Sequence, residues 1–430
     1  MLYLSIPVLA LLLGITAALY STSSPSGSSQ PSSSTPETAS TTPSAHLEID
    51  LPELDLEPLD PDPAWWLNSQ APGSIGVVWI TREGADPSSL LKNDTQRQLY
   101  EDLRACFPED ASNEELFLGK TGCFDEKAIR AAASLPDPTN VFSAIRALNT
   151  ARPDVFTVCH NASHKVGEIA LRRVVKEYGM DKKIIAALLD RGANACMGGL
   201  MHGTLDAVGL LAESIDEFAP AVEACLLANP SNLGYCTDAI GHATWDAFAD
   251  TTSAAEVCSF FKDSQSRREC GEGILMRIYQ RKETTDTWYE GTVKDSKDLP
   301  RWNAEIIEIC KSWPATPFPT APEDPREWCW SGSTYLFLKP VFQVLESKGG
   351  QIQPVFDELA DRFKQTLESC AKFPAPGDTL CMERLGPSVG HLAAFEEEYA
   401  RKLCALYPDE ALAASCTKQA LQRIESAYAE

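Results

Sequence analysis

The chain has 430 residues, of which 44% are hydrophobic, and its 37 Lys and Arg against 61 Asp and Glu give a formal net charge of −24. This length and hydrophobic content are typical of a soluble globular protein with room for two or three domains. The negative charge argues against nucleic acid and anionic lipid surfaces as partners, because their phosphates would repel the chain. We therefore expect no nucleic-acid partner.

The N-terminal segment, residues 1–20, is nearly all apolar and carries no charged side chain (MLYLSIPVLALLLGITAALY). It predicts either a secretory signal peptide or a short signal-anchor helix through residues 2–20. Both alternatives predict an extracytoplasmic protein, secreted or anchored to the membrane. The fourteen cysteines, an even number, fit an oxidising compartment as well.

The next segments differ in composition from the rest of the chain. Residues 21–63 are a Ser/Thr/Pro tract followed by an acidic, proline-broken stretch, which together predict a disordered linker. GSIGVVWITR, residues 73–82, is a short strand-like run. Later runs such as VGEIALRRVVKEYG space their apolar residues three and four apart, as amphipathic helices do. We expect a helical repeat domain over 64–295 and further C-terminal helical repeats over 296–430.

Cysteine spacing indicates how these helices are connected. A cysteine commonly ends one helical run and another opens the next, with a polar loop between them. A disulfide across such a loop would contribute roughly 3 kcal/mol by constraining the unfolded chain. The pattern predicts an all-α fold of disulfide-stapled helical hairpins, a solenoid or toroid-like array. The predicted pairs are Cys106 with Cys123, Cys225 with Cys236, Cys258 with Cys270, Cys310 with Cys329, Cys370 with Cys381, and Cys404 with Cys416.

Two cysteines, Cys159 and Cys196, are left over by this pairing, and both open histidine-bearing helices. Two interpretations remain open from the sequence. They bridge each other, as an oxidising compartment favours. Alternatively they are thiolate ligands, which would favour Cu(I) or structural Zn.

Three helix starts share a histidine motif: CHNASHKVGEIAL, CMGGLMHGTLDAV and CTDAIGHATWDAF. In each, a histidine is followed four residues later by a carboxylate, so both lie on one helical face. Four of the six histidines of the chain lie in these segments. The pairs are His164 with Glu168, His202 with Asp206, and His242 with Asp246, and His160 precedes His164 by four residues.

The motif predicts a metal site if consecutive hairpins stack in register, since equivalent positions then lie about 10 Å apart between helix axes. Imidazole is a common ligand for Zn and Cu, and three histidines with an open position are typical of catalytic sites. The structural alternative is that a repeat simply duplicates histidines that form ordinary hydrogen bonds. The predicted ligands of Zn or Cu are His160, His164, His202 and His242, and the predicted supporting groups or general bases are Asp206, Asp246 and Glu168.

The order CH…H..G, C.GG..HG, C….GH and C.EG over residues 159–279 resembles a family of exported, uncharacterised prokaryotic proteins with cysteine–histidine–glycine helical repeats. That family has no established activity, so the resemblance implies that the four histidines matter without naming a reaction. The stapled hairpins are also similar to cysteine-rich Sel1-like repeats, a likeness that bears on the fold only.

Two functions are therefore predicted. The first is an exported or membrane-anchored metal-binding protein, with metal-assisted activation of water or a redox step as its chemistry if it is an enzyme. The second is a non-catalytic solenoid whose concave surface binds a protein or peptide partner.

Overall fold

The all-α prediction is confirmed by a computed structural model of the chain. Within the described residues the chain is helical and contains no strand. The strand-like run at 73–82 and the predicted domain boundary between 295 and 296 lie outside the described residues. Those described are 54–59, 86–108, 122–155, 159–192, 195–196, 198–228, 233–285, 299–346 and 351–429.

Sixteen α-helices lie within the described part of the chain, and they pair in order into eight hairpins. Each is named by its place in the chain. The helices are α1 Asp94–Arg104, α2 Gly122–Ser134, α3 Thr139–Ala151, α4 His160–Tyr178, α5 Lys182–Gly192, α6 Gly199–Leu211, α7 Ala219–Leu227, α8 Leu233–Phe248, α9 Thr251–Cys258, α10 Ser264–Thr285, α11 Leu299–Lys311, α12 Arg326–Glu346, α13 Phe356–Cys370, α14 Gly377–Leu392, α15 Glu397–Cys404 and α16 Glu410–Ala429.

The hairpins stack into two layers. The even-numbered helices pack side by side in chain order from α2 to α16 and form one layer. Odd-numbered helices flank it, with α1, α3, α5 and α7 in consecutive contact. The buried apolar side chains of both layers form one continuous core, which includes Phe142, Leu171 and Trp328. Packing of each repeat against its neighbours is the arrangement of a solenoid.

The six predicted hairpin disulfides are confirmed. Each joins the two helices of one hairpin across its loop, with Cα atoms 5.3 to 5.7 Å apart. This separation is usual for an unstrained disulfide. The bonds are Cys106 to Cys123, Cys225 to Cys236, Cys258 to Cys270, Cys310 to Cys329, Cys370 to Cys381, and Cys404 to Cys416.

A seventh disulfide joins Cys159 to Cys196, with their Cα atoms 5.4 Å apart, so that all fourteen cysteines are paired. It differs from the others because it links the starts of α4 and α6, which belong to successive hairpins. The alternative in which these two cysteines are thiolate metal ligands is therefore wrong.

Glycine allows α4 and α6 to pack closely. Helix α6 begins after Gly198, whose φ of 76° lies in the left-handed region that favours glycine. Within α6, a Cβ added at Gly203 would lie 1.8 Å from the backbone oxygen of His164. A side chain is excluded there, so the two helices approach more closely than helices with side chains at their contact could. The packing that this close approach allows outweighs the low helix propensity of glycine.

Part of the predicted linker is packed on the array. Residues 54–59 have no regular secondary structure, yet Leu54 and Leu56 are buried. Arg173 of α4 donates to the backbone oxygens of Leu56 and Glu57 at 2.6 and 2.8 Å. The prediction of disorder does not hold for this short stretch, because its leucines alternate with acidic residues and only the leucines need to be buried.

The predicted localisation is corrected. Among the helices that the structure describes, none combines the length and the apolar character needed to cross a membrane. The longest, Ser264–Thr285, is interrupted by arginine and glutamate. The prediction of a membrane anchor is therefore not supported, whereas the seven disulfides are in keeping with an extracytoplasmic chain; residues 2–20, the predicted anchor, lie outside the described residues.

Candidate metal centre

The four predicted histidine ligands come from three neighbouring helices of the even-numbered layer. His160 and His164 lie one turn apart on α4, His202 lies on α6 and His242 on α8. Their ring centroids are 4.7 Å apart for the α4 pair, 5.3 Å for His164 and His202, and 5.2 Å for His202 and His242. The histidines therefore form a continuous row across three helices.

The row contains two overlapping sets of residues that could hold a metal ion. One set is His160, His164 and His202, and the other is His202, His242 and Asp238. In each set one ligand atom per residue lies within 4.8 Å of the others. The four histidines are thus brought together in two sets that share His202, rather than around one point.

Hydrogen bonds define the tautomers of the α4 pair. His160 Nδ1 lies 2.8 Å from the Cys196 backbone oxygen, and His164 Nδ1 lies 2.8 Å from Asp206 Oδ2. Carbonyl and carboxylate oxygens only accept hydrogen bonds, so both Nδ1 atoms carry the proton and both Nε2 atoms carry a lone pair. These two Nε2 atoms are 3.1 Å apart. Two lone pairs at this distance repel each other unless a cation lies between them.

The second set is almost completely buried. The side chains of His202 and His242 are 8% and 2% exposed, and the Nε2 atom of each lies 3.6 Å from Asp238 Oδ2. Both ring nitrogens of each histidine, and Asp238 Oδ1, have no hydrogen-bond partner in the part of the chain that the structure describes. Buried polar atoms are nearly always hydrogen-bonded, so this cluster of unsatisfied atoms is unusual and is typical of a site for a ligand.

Burial also sets the protonation of the histidines. It lowers the pKa of His160 and His164 to about 3, and it lowers the pKa of His202 and His242 well below the usual range. Positive charge nearby, such as that of Arg277 beside His164, lowers them further. The rings are therefore neutral at neutral pH, which is the form that binds metals.

The three predicted carboxylates have different surroundings. Asp206 touches a candidate ligand through its bond to His164, whereas Asp246 accepts from Arg277 Nε at 2.9 and 3.0 Å. Glu168 lies 3.0 and 3.5 Å from two basic side chains of its own helix. Only Asp206 is brought to the histidine row by a direct contact, and the catalytic role of all three stays a prediction.

Asp238 is the functional candidate that the sequence analysis missed. It stands four residues before His242, as His160 stands four residues before His164. The sequence motif paired each histidine with the carboxylate four residues after it. In the second set, however, the carboxylate comes four residues before its histidine. The four-residue spacing of Asp238 and His242, which matches that of His160 and His164, could have identified Asp238 from the sequence.

No protein-family model, curated protein or solved structure matches the chain. The resemblances to exported proteins with cysteine–histidine–glycine repeats and to Sel1-like repeats stay predictions. The interpretation of the metal centre rests on the geometry of its own residues.

Proposed function

We propose that this protein binds a transition-metal ion, Zn or Cu, at His160, His164 and His202. The observation that carries the proposal is the 3.1 Å distance between the Nε2 atoms of the two α4 histidines, whose Nδ1 protons are donated elsewhere. Tetrahedral Zn with nitrogen ligands at about 2.0–2.1 Å places two ligand nitrogens roughly 3.3 Å apart. The α4 pair is therefore close to the separation that a bound ion requires.

The partners of the two Nδ1 atoms support the same proposal. Metal-bound histidines usually donate their other N–H to a carboxylate or a backbone carbonyl, which fixes the ring orientation and raises ligand basicity. Asp206 supplies the carboxylate and Cys196 supplies the carbonyl. The disulfide between Cys159 and Cys196 holds that carbonyl next to α4, so both ligand rings are oriented before a metal binds.

The ligand set bears on the metal and its chemistry. Imidazole suits Zn and Cu, and a set of three histidines leaves one tetrahedral position open to water or substrate. An open position is what metal-assisted activation of water requires. Asp206 is placed to orient His164, so we assign it a positioning role. The alternative function, a solenoid that binds a protein or peptide, stays a prediction.

Metal analysis of the full chain, purified without a histidine tag, tests the proposal. We expect at least one equivalent of metal per chain and the loss of one equivalent in the double variant that combines His160→Ala with His164→Ala. His391→Ala is the matched control, because His391 lies in a later repeat and accepts a hydrogen bond from Arg423. Absence of metal from the wild type, with an unfolding temperature unchanged by a chelator, would refute metal binding and favour the partner-binding alternative.

A further inference from the structure

We infer that a second metal ion binds beside the first, held by His202, His242 and Asp238, with His202 as the ligand that bridges the two ions. This inference rests on the metal binding proposed above and adds a site to it.

The geometry of the second set fits an ion. Asp238 Oδ2 lies 3.6 Å from His202 Nε2 and 3.6 Å from His242 Nε2. Ligand atoms about 2.0–2.2 Å from a tetrahedral ion lie roughly 3.3–3.5 Å apart. The two distances from Asp238 are therefore only slightly longer than an ion requires, and one ligand atom from each of the three residues lies within 4.8 Å of the others.

One ion does not satisfy the whole row. Asp238 and His242 belong only to the second set, and the two α4 histidines belong only to the first. An ion in the first set would leave both nitrogens of His242 buried without a hydrogen-bond partner among the described residues. An unsatisfied buried polar atom is destabilising, and an ion in the second set would bind one of the two, the Nε2 atom.

His202 can serve both sets because it has two nitrogens. Its Nε2 faces Asp238, which leaves Nδ1 for the α4 pair, and neither atom has another partner in the described part of the chain. An imidazole that binds an ion through each nitrogen loses its ring proton to solvent. His202 would then be an imidazolate, whose negative charge the two cations balance.

The charge at this end of the row also favours a cation. Glu269 and Glu272 act electrostatically on Asp238. Arg384 is the cation that pairs with the two glutamates, at 3.8 and 3.3 Å. A divalent ion beside Asp238 would place positive charge next to these acidic side chains.

The number of metal ions per chain tests the inference. The full chain is loaded with zinc, desalted and analysed for bound metal. We expect two equivalents in the wild type, one in Asp238→Asn, one in the double variant of His160 and His164, and two in the control His391→Ala. Asparagine has the shape of aspartate, so the variant removes the charged ligand with little change in packing.

Loading with Cu(II) gives an independent readout. Two Cu(II) ions joined by an imidazolate couple magnetically, so the wild type should show less paramagnetic signal than its total copper, and Asp238→Asn should show signal for all of it. One equivalent in the wild type would overturn the second site while leaving the first, and no bound metal would instead overturn the proposed function. Two equivalents with full copper signal would overturn the bridge.

Discussion

The contact between α4 and α6 provides the sharpest test of how the fold supports the site, through the variant Gly203→Ala. A Cβ at this position would lie 1.8 Å from the backbone oxygen of His164, whereas real Cβ atoms essentially never approach a heavy atom more closely than 3.0 Å. The two helices must therefore separate by at least 1.2 Å, the difference between these distances. His164 and His202 lie on the two helices that move apart.

The variant should weaken metal binding and also lower stability. Metal–ligand distances tolerate changes of about 0.2 Å, so the separation removes one ligand from the first set, and we expect the affinity for zinc to fall at least about tenfold. Overpacking costs about 1–3 kcal/mol. The higher helix propensity of alanine offsets about 1 kcal/mol of this, which leaves a net destabilisation of about 2 kcal/mol or less.

Zinc affinity is measured by competition with a chromophoric chelator, and the unfolding temperature by circular dichroism. Gly122→Ala is the matched control, because nothing lies within 4 Å of a Cβ added there, and we expect its affinity for zinc to match that of the wild type. The reasoning is refuted if Gly203→Ala binds zinc as tightly as the wild type does.

Three further predictions concern the surroundings of the site. Asp206→Ala should weaken zinc binding about 10–100-fold, because it removes the group that orients His164, whereas Asp206→Asn keeps an acceptor and should bind more tightly than the alanine variant. Because burial lowers the pKa of His160 and His164 from 6.5 to about 3 in the folded chain, the unfolded state takes up protons first as the pH falls. The stability of the metal-free protein should therefore be complete above pH 6.5 and decline from there towards pH 3, by about 1.4 kcal/mol per pH unit for each histidine, as measured by denaturant unfolding. Replacing Cys159 and Cys196 by serine should cost about 3–4 kcal/mol of stability, since the bond closes a loop of 37 residues, and should also weaken zinc binding.

Each of these predictions has its own control. Serine replacement of Cys404 and Cys416, the disulfide of the last hairpin, should lower stability without affecting zinc affinity. Equal affinity losses in both cysteine variants would contradict the role of the Cys196 carbonyl. The decline of stability with pH should be shallower in the double alanine variant of His160 and His164. A pH dependence that is the same in this variant would show that other groups cause it.

The hairpins were predictable from the sequence because their disulfides are local. A cysteine at the end of one helix and another at the start of the next can meet across a short loop regardless of the rest of the fold. The histidine row was predictable in part, since His202 and His242 occupy the same place in successive repeats. Periodicity alone indicated that they would face one side of the even-numbered layer.

The division of the row into two sets could not be predicted in the same way. It depends on which nitrogen of His202 faces Asp238, a side-chain rotation that spacing does not determine. The pairing of Asp246 with Arg277 joins α8 to α10 and removes a carboxylate that the motif offered as a free base. Such contacts depend on the distance and rotation between helices, which the sequence pattern leaves open.

The buried guanidinium of Arg173 links residues 54–59 to the rest of the array. Two of its hydrogen bonds hold Leu56 and Glu57 against α4, the helix that bears His160 and His164. A truncated protein that starts after residue 60 would lack these two hydrogen-bond acceptors for Arg173, a charged residue that is only 4% exposed. Residues 54–59 thus help to hold α4 in place, and a shortened protein would hold the helix that carries two of the proposed metal ligands less rigidly.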